Sequence, residues 1–201
     1  MNRARFPRLV VATRNPGKLR ELADGLNDFD PPLRLSAVSE WPESIDVEET
    51  GATCRENARL KALAALAVTG LPSLADDTAL EVDALGGAPG VHSARYAGPD
   101  GNPAANIRKL LEALEGVPDS RRTARFRCVL ALALPGSDEP EYVEGVVEGS
   151  ISRQPRGDGG FGYDPIFVVT EVGRSMAELS PAEKSTLSHR ARALHELRRR
   201  L

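Results

Sequence analysis

The uncharged run Leu9-Val10-Val11-Ala12-Thr13 stops at a turn cluster, Arg14-Asn15-Pro16-Gly17, and a helical pattern begins directly behind it. The run reads as a buried strand and the cluster as the turn that ends it. Leu19, Leu22, Ala23 and Leu26 then recur at helical spacing, so Lys18 to Leu26 is expected to be a helix. Strand, turn and helix in direct succession demand a fold that packs helices on a sheet.

Further along, the helix signals are sharper. Thr53-Cys54-Arg55-Glu56 is a capping-box pattern, followed by the stripe Leu60, Leu63, Ala64 and Ala67 and stopped by Gly70 and Pro72. Ser73-Leu74-Ala75 reads as a short strand running into Asp76-Asp77. Asn102-Pro103 opens another helix, with Ile107, Leu110, Leu111 and Leu114 on one face and Gly116 at its end. Thr123 to Leu134 and Tyr142 to Ile151 are expected to be two strands of an antiparallel hairpin. Residues 27–50, rich in Pro, Asp and Glu, read as a strand with loops. Ser180-Pro181-Ala182-Glu183 is a second capping box, opening a single C-terminal helix that carries Leu187, Ala191, Leu194 and Leu201. The fold class is therefore α/β, with a mixed parallel and antiparallel sheet flanked by helices.

Bulk properties narrow the partners. The 201 residues suffice for one sizeable core or two lobes sharing one, and 41% hydrophobic with 27% charged content is globular. A net charge of -3 provides no basic field for nucleic acid, so no nucleic-acid partner is expected. Cys54 and Cys128 lack metal-site spacing and read as buried thiols in a reducing compartment. The apolar runs are too short for a signal peptide or a membrane helix, so no membrane partner and a cytoplasmic location are expected. No internal repeat or low-complexity linker divides residues 1–201, which are read as one domain.

Two phosphate-binding patterns fail on context. Gly157-Asp158-Gly159-Gly160-Phe161-Gly162 matches G-x-G-x-x-G, but Tyr163-Asp164-Pro165 behind it cannot open the helix that motif requires. Pro16-Gly17-Lys18 lacks the earlier glycine of a phosphate loop. The terminal Arg198-Arg199-Arg200 run suits a helix C-terminus.

Three clusters remain that carry chemistry. In Thr13-Arg14-Asn15-Pro16-Gly17-Lys18, hydrogen-bonding side chains, a glycine and a lysine at a helix start suit a polyphosphate, although a plain turn has the same composition. Glu48-Glu49 and Asp76-Asp77 are hard oxygen donors of the kind magnesium takes, and ionised aspartates beside an apolar strand need water, a cation or a base. One of them could deprotonate a water that attacks phosphorus. In the third cluster, Phe161 or Tyr163 can stack on a base, Asp164 and Arg190 can read its polar edge, and Lys184 and Ser188 share a helix face.

Taken together, the stretches VVATRNPGKLREL (10–22), EETGATCRENARLKA (48–62), LPSLADDTALEVDALGGAPGVHSARYAG (71–98), GGFGYDPIF (159–167) and AELSPAEKSTLSHRARAL (177–194) resemble the inosine/xanthosine triphosphate pyrophosphatase family. The resemblance implies a two-lobed fold around a long curved mixed sheet, an active-site cleft between the lobes, and a homodimer. It also implies hydrolysis of deaminated purine triphosphates (ITP, dITP, XTP) to monophosphate and pyrophosphate, with Mg2+ as cofactor. Carried over residue by residue, Thr13, Asn15, Lys18 and Lys61 hold the triphosphate; Glu49 and Asp77 bind magnesium; Asp77 is the general base, and Asp76 assists. Thr78 touches the substrate, and Phe161, Gly162, Tyr163, Asp164, Lys184, His189 and Arg190 line the nucleoside pocket. Thr78-Ala79 departs from the family's usual Ser-Gly, which matters only if residue 79 needs positive φ. Another modified triphosphate as substrate, or a non-catalytic nucleotide-binding protein, are the competing readings.

Overall fold

The structure, a computed structural model, describes residues 4–43 and 47–201. The expected strand-and-loop stretch 27–50 thus includes three residues, 44–46, that lie outside the described ones. Among the described residues there is a seven-stranded mixed sheet with five α-helices. The strands in chain order are β1 (Arg8–Val11), β2 (Arg34–Ala37), β3 (Ser73–Val82), β4 (Pro89–Gly90), β5 (Thr123–Ala133), β6 (Glu141–Ile151) and β7 (Phe167–Val169). Their order in the sheet is β2-β1-β3-β5-β6-β7, with β4 added onto β3. The helices are α1 (Pro16–Gly25), α2 (Cys54–Thr69), α3 (Pro103–Ala113), α4 (Pro181–Leu187) and α5 (His189–Arg198).

The chain forms two compact units from interleaved segments. The first comprises Met1–Asp77, Cys128–Gly145 and Arg190–Leu201. Here β1 pairs parallel with both β2 and β3, part of the mixed pairing expected of the sheet. Leu9, Val11, Leu22, Leu26, Leu74 and Leu130 belong to its apolar core, which α5 closes with Leu194 and Leu197. Helix α2 begins and ends where its sequence signals stand. Glu56 N–H donates to Thr53 Oγ1 at 3.2 Å, Glu56 Oε2 accepts from Thr53 N–H at 3.1 Å, and Gly70 adopts φ 65° at the C-cap.

The second unit comprises Thr78–Arg127 and Val146–His189, around a core that includes Leu80, Leu110, Leu114, Phe126, Ile166 and Phe167. Asn102 caps α3 through Ala105 N–H at 3.0 Å, and β7 pairs antiparallel with β6. Residues 134–140 join β5 to the neighbouring β6. That link is too short for a parallel crossover, so the expected hairpin is present.

Two expectations need correction. Asp76 and Asp77 do not end a short strand; they lie inside β3, a strand of 10 residues. The strand continues because buried cations replace the water that ionised carboxylates would otherwise require. The single C-terminal helix is also two helices. Ser188 leaves helical geometry at φ -70°, ψ 157°, and its N–H caps Lys184 O, so Ser188 and Lys184 do not share a helix face. Serine favours such caps over helix interiors.

Candidate active site

Successive side chains of a strand point to opposite faces of its sheet, so the neighbours Asp76 and Asp77 meet different partners. Both sites described first lie within the first unit. Asp77 Oδ1 accepts from Lys61 Nζ at 2.7 Å, and the same ammonium donates to Glu49 Oε1 at 2.8 Å and to the Asp76 carbonyl at 2.8 Å. Helix α2 sends Lys61 to this point, and the 47–50 loop brings Glu49. Two carboxylates therefore converge on one cationic centre. Burial raises the Asp77 carboxyl pKa above its ordinary value, helped by Glu49 and only partly offset by Lys61 and Lys18. Burial alone would lower the Lys61 pKa, but Asp77 and Glu49 outweigh it and raise the value.

Asp76 is more deeply enclosed, with its side chain 0% exposed. It pairs with Lys18 from α1 and accepts from Arg190 Nε at 2.8 Å and from the Cys128 thiol at 3.1 Å. Arg190, 1% exposed, also pairs with Glu21 on α1. Burial would raise the Asp76 pKa, yet Arg190 and Lys18 prevail and hold it well below the usual carboxylate range. Arg190, expected to line the nucleoside pocket, bonds here to two buried or half-buried acids.

The turn before α1 is built as its residues suggest. Asn15 is the N-cap, accepting from Gly17 N–H at 2.9 Å and Lys18 N–H at 3.1 Å, with Pro16 in the first turn. Thr13 Oγ1 accepts from Asn15 N–H at 3.2 Å. Thr13, Gly17 and Lys18 are half-buried, while Arg14, Asn15 and Pro16 are exposed.

In the second unit, Asp164 Oδ2 accepts from Phe161 N–H at 3.0 Å and from Lys184 Nζ at 2.6 Å. That ammonium stands 4.9 Å from the centroid of the half-buried Phe161 ring. Gly160 makes the turn possible: its φ is +73°, and a Cβ there would lie 2.1 Å from Asp164 Oδ2. Tyr163 is in the core and its hydroxyl donates to Ser93 O at 2.9 Å, so of the two rings weighed for stacking only Phe161 reaches the surface. His189 is buried, its ring stacked on Phe126 with centroids 4.8 Å apart. Gly162 and Thr78 are half-buried. Ala79 is unstrained, because no non-glycine residue among those described has positive φ. No α-helix opens directly behind Gly162, where turns lead into β7, which removes the dinucleotide fingerprint.

Sequence reasoning missed Glu21 and the polar role of Cys128. Glu21 lies three residues after Lys18 and so shares its helix face, a signal available in advance; the sequence marks Cys128 only as buried.

Residues 9–200 match the model of the Ham1 family. A dITP/XTP pyrophosphatase of Geobacillus kaustophilus (strain HTA426) is 52% identical over 189 residues, covering 94% of this chain and 91% of the relative. The dITP/XTP pyrophosphatase of Escherichia coli (strain K12) is 50% identical over 189 residues, 93% of this chain and 94% of the relative. Among solved structures, a HAM1 protein from Coxiella burnetii superposes with a TM-score of 0.87 at 46% identity, covering 96% of this chain and 98% of that one.

Proposed function

The chain belongs to the Ham1 family, and from that premise we propose that it is a dITP/XTP pyrophosphatase. It hydrolyses the triphosphates of deaminated purines to the nucleoside monophosphate and pyrophosphate, clearing them from the nucleotide pool. The observation that carries this reading is the convergence of Glu49 and Asp77 on the Lys61 ammonium, at 2.8 and 2.7 Å.

That donor set suits magnesium. Among the described residues no group of three or more His, Cys, Asp or Glu could hold a metal ion. Magnesium, however, is commonly held by one or two carboxylates, completed by waters and substrate phosphates. Glu49 and Asp77 would hold it, and it would supply Lewis-acid stabilisation of phosphoryl charge. Lys61 and Lys18 lie beside these carboxylates and neutralise charge that builds on the departing pyrophosphate. Asp77, made more basic by burial, takes a proton as the water oxygen bonds to the α-phosphorus and the bridging α–β P–O bond breaks.

The turn Thr13 to Lys18, with Lys61, takes the triphosphate end. The base end falls to Phe161, Gly162, Asp164 and Lys184, with Thr78 in contact with the substrate. His189 backs that pocket through its stack on Phe126. Phe161 offers a half-buried face for stacking, and Lys184 beside it is a donor for the 6-keto oxygen of a deaminated purine. Adenine presents an amino donor at that position and leaves such a site badly paired, a mismatch able to discriminate by factors of roughly 10⁴. Arg190 acts through Asp76 instead of touching the base.

One catalytic domain of residues 1–201 and a cytoplasmic location, both read from the sequence, and a homodimer, implied by the resemblance, complete the proposal. Among the described residues no helix is long and apolar enough to cross a membrane.

The test offers ITP, dITP, XTP, ATP and GTP with magnesium and separates pyrophosphate from orthophosphate. Pyrophosphate from the first three, at rates far above that for ATP, is expected, and the rate with GTP, whose base shares the 6-keto group, reads any discrimination at the 2-position. Orthophosphate as the primary product would mean attack at the γ-phosphorus and would remove the assignment.

A further inference from the structure

A carboxylate buried in a protein is oriented by the donors around it, since each unmet oxygen lone pair is costly in a dry site. Both oxygens of Asp76 meet donors: Oδ1 takes Lys18, while Oδ2 takes Arg190 Nε at 2.8 Å and Cys128 Sγ at 3.1 Å. Arg190 is shared with Glu21, so its head answers to two acids and fixes neither alone. Cys128 differs. It stands on β5, the strand beside β3, is fully buried, and its short side chain follows the sheet backbone. Along one face of β5 the residues are Ala124, Phe126, Cys128, Leu130 and Leu132, and the thiol is the one polar atom their side chains carry.

We propose that Cys128 is a positioning residue, whose thiol donates to Asp76 Oδ2 and sets the rotation of that carboxylate so that Oδ1 faces Lys18. Lys18 is the lysine assigned to the triphosphate, so the inference rests on the proposed function. A thiol that only fills space is replaceable by any small apolar side chain; one that orients Asp76 is not. Burial, and then the charge of Asp76, push the Cys128 pKa well up, so the group keeps its proton and remains a donor at working pH.

Two measurements test this. Raman spectra of the Cys54→Ala protein isolate the S–H stretch of Cys128 without substrate. A band at the low frequency of a hydrogen-bonded thiol is expected, moving upward in Cys54→Ala/Asp76→Asn; a band unmoved by Asp76→Asn overturns the bond. Steady-state kinetics then compare Cys128→Ala, which loses the donor, with Cys128→Ser, which keeps one. Because Lys18 grips the triphosphate before and during reaction, the loss is expected mainly in KM. Cys128→Ala should raise KM by about three- to tenfold, the equivalent of about 0.7–1.4 kcal/mol, with kcat altered less than about twofold. Cys128→Ser should stay within about twofold of the native KM. Equal KM values for the two variants refute positioning, whatever their melting temperatures. Should the unaltered protein release no pyrophosphate, the functional reading fails by itself, and the S–H band still decides whether the thiol holds Asp76.

Discussion

Replacing Asp76 by Asn removes one negative charge from a cluster in which two acids, Asp76 and Glu21, meet two cations, Lys18 and Arg190. The Arg190 side chain is 1% exposed and cannot recover water, and Asn keeps the shape of Asp without its charge. Breaking a buried pair by removing one partner costs about 3–5 kcal/mol. Glu21 remains as a second acid for Arg190, and Lys18 is 17% exposed, which places the loss at the lower end, about 3 kcal/mol. For 201 residues with an unfolding entropy of about 2.1 cal/mol/K per residue, that lowers Tm by about 7 °C. The pH dependence follows from the depressed pKa of Asp76. Above the unfolded value of about 3.9 the carboxylate is ionised in both states and its stabilisation is complete. Between that value and the lower folded one, the unfolded chain binds the extra proton, so stability falls with pH through this window. Calorimetric melts of both proteins from pH 7 to pH 2.5 should therefore show a constant gap down to about pH 4 that shrinks below it. A gap absent at pH 7, or one that persists unchanged in strong acid, refutes the ion-pair reasoning.

Other substitutions separate chemistry from architecture. Asp77→Asn removes the proposed proton acceptor and should lower kcat by about 10²–10⁴-fold while nucleotide affinity in the absence of magnesium, read by calorimetric titration, changes little. Tyr163→Phe deletes the bond to Ser93 O and should cost about 1 kcal/mol, a fall in Tm of about 2–4 °C, with KM unchanged, because that ring is in the core. A large rise in KM would put Tyr163 at the base after all. Gly160→Ala forces a Cβ onto Asp164 Oδ2 at positive φ, so the Asp164–Lys184 pair should separate and KM for purine triphosphates should rise. Unchanged KM would show that the pair has no part in holding the base.

Much of the scaffold was legible because local signals and tertiary packing agree in this chain. Thr53 with Glu56, Asn102 with Pro103, and Ser180 with Glu183 each start a helix where a capping pattern stands, since such caps satisfy backbone N–H groups within a few residues. The errors arose where distant groups decide. Nothing near Asp76 in sequence indicates that Lys18 and Arg190 will neutralise it, so a strand that continues through two aspartates looked as though it must end there. Tyr163 and His189 are amphipathic rings that serve a core or a pocket equally well, and only packing against Phe126 and Ser93 distinguishes the two. Arg190 was grouped with the base contacts as a donor able to read a polar edge, and nothing near it in sequence indicates the two acids that meet its Nε and Nη1.

The neighbouring aspartates show how one strand can supply two different acids. Their backbone environment is shared, and the alternation of β3 is what separates them. Asp76 faces two cations that hold it ionised far into acid, which makes it a poor proton acceptor and a durable anchor for Lys18. Asp77 is nearly as buried, but its cation is shared with Glu49, and the balance tips upward. Two carboxyls whose environments push their pKa values in opposite directions mark the division between a group that exchanges protons and one that fixes geometry. That division supports Asp77 over Asp76 as the proposed base, and exchanging the pair's roles would require moving Arg190 to the other face of the strand.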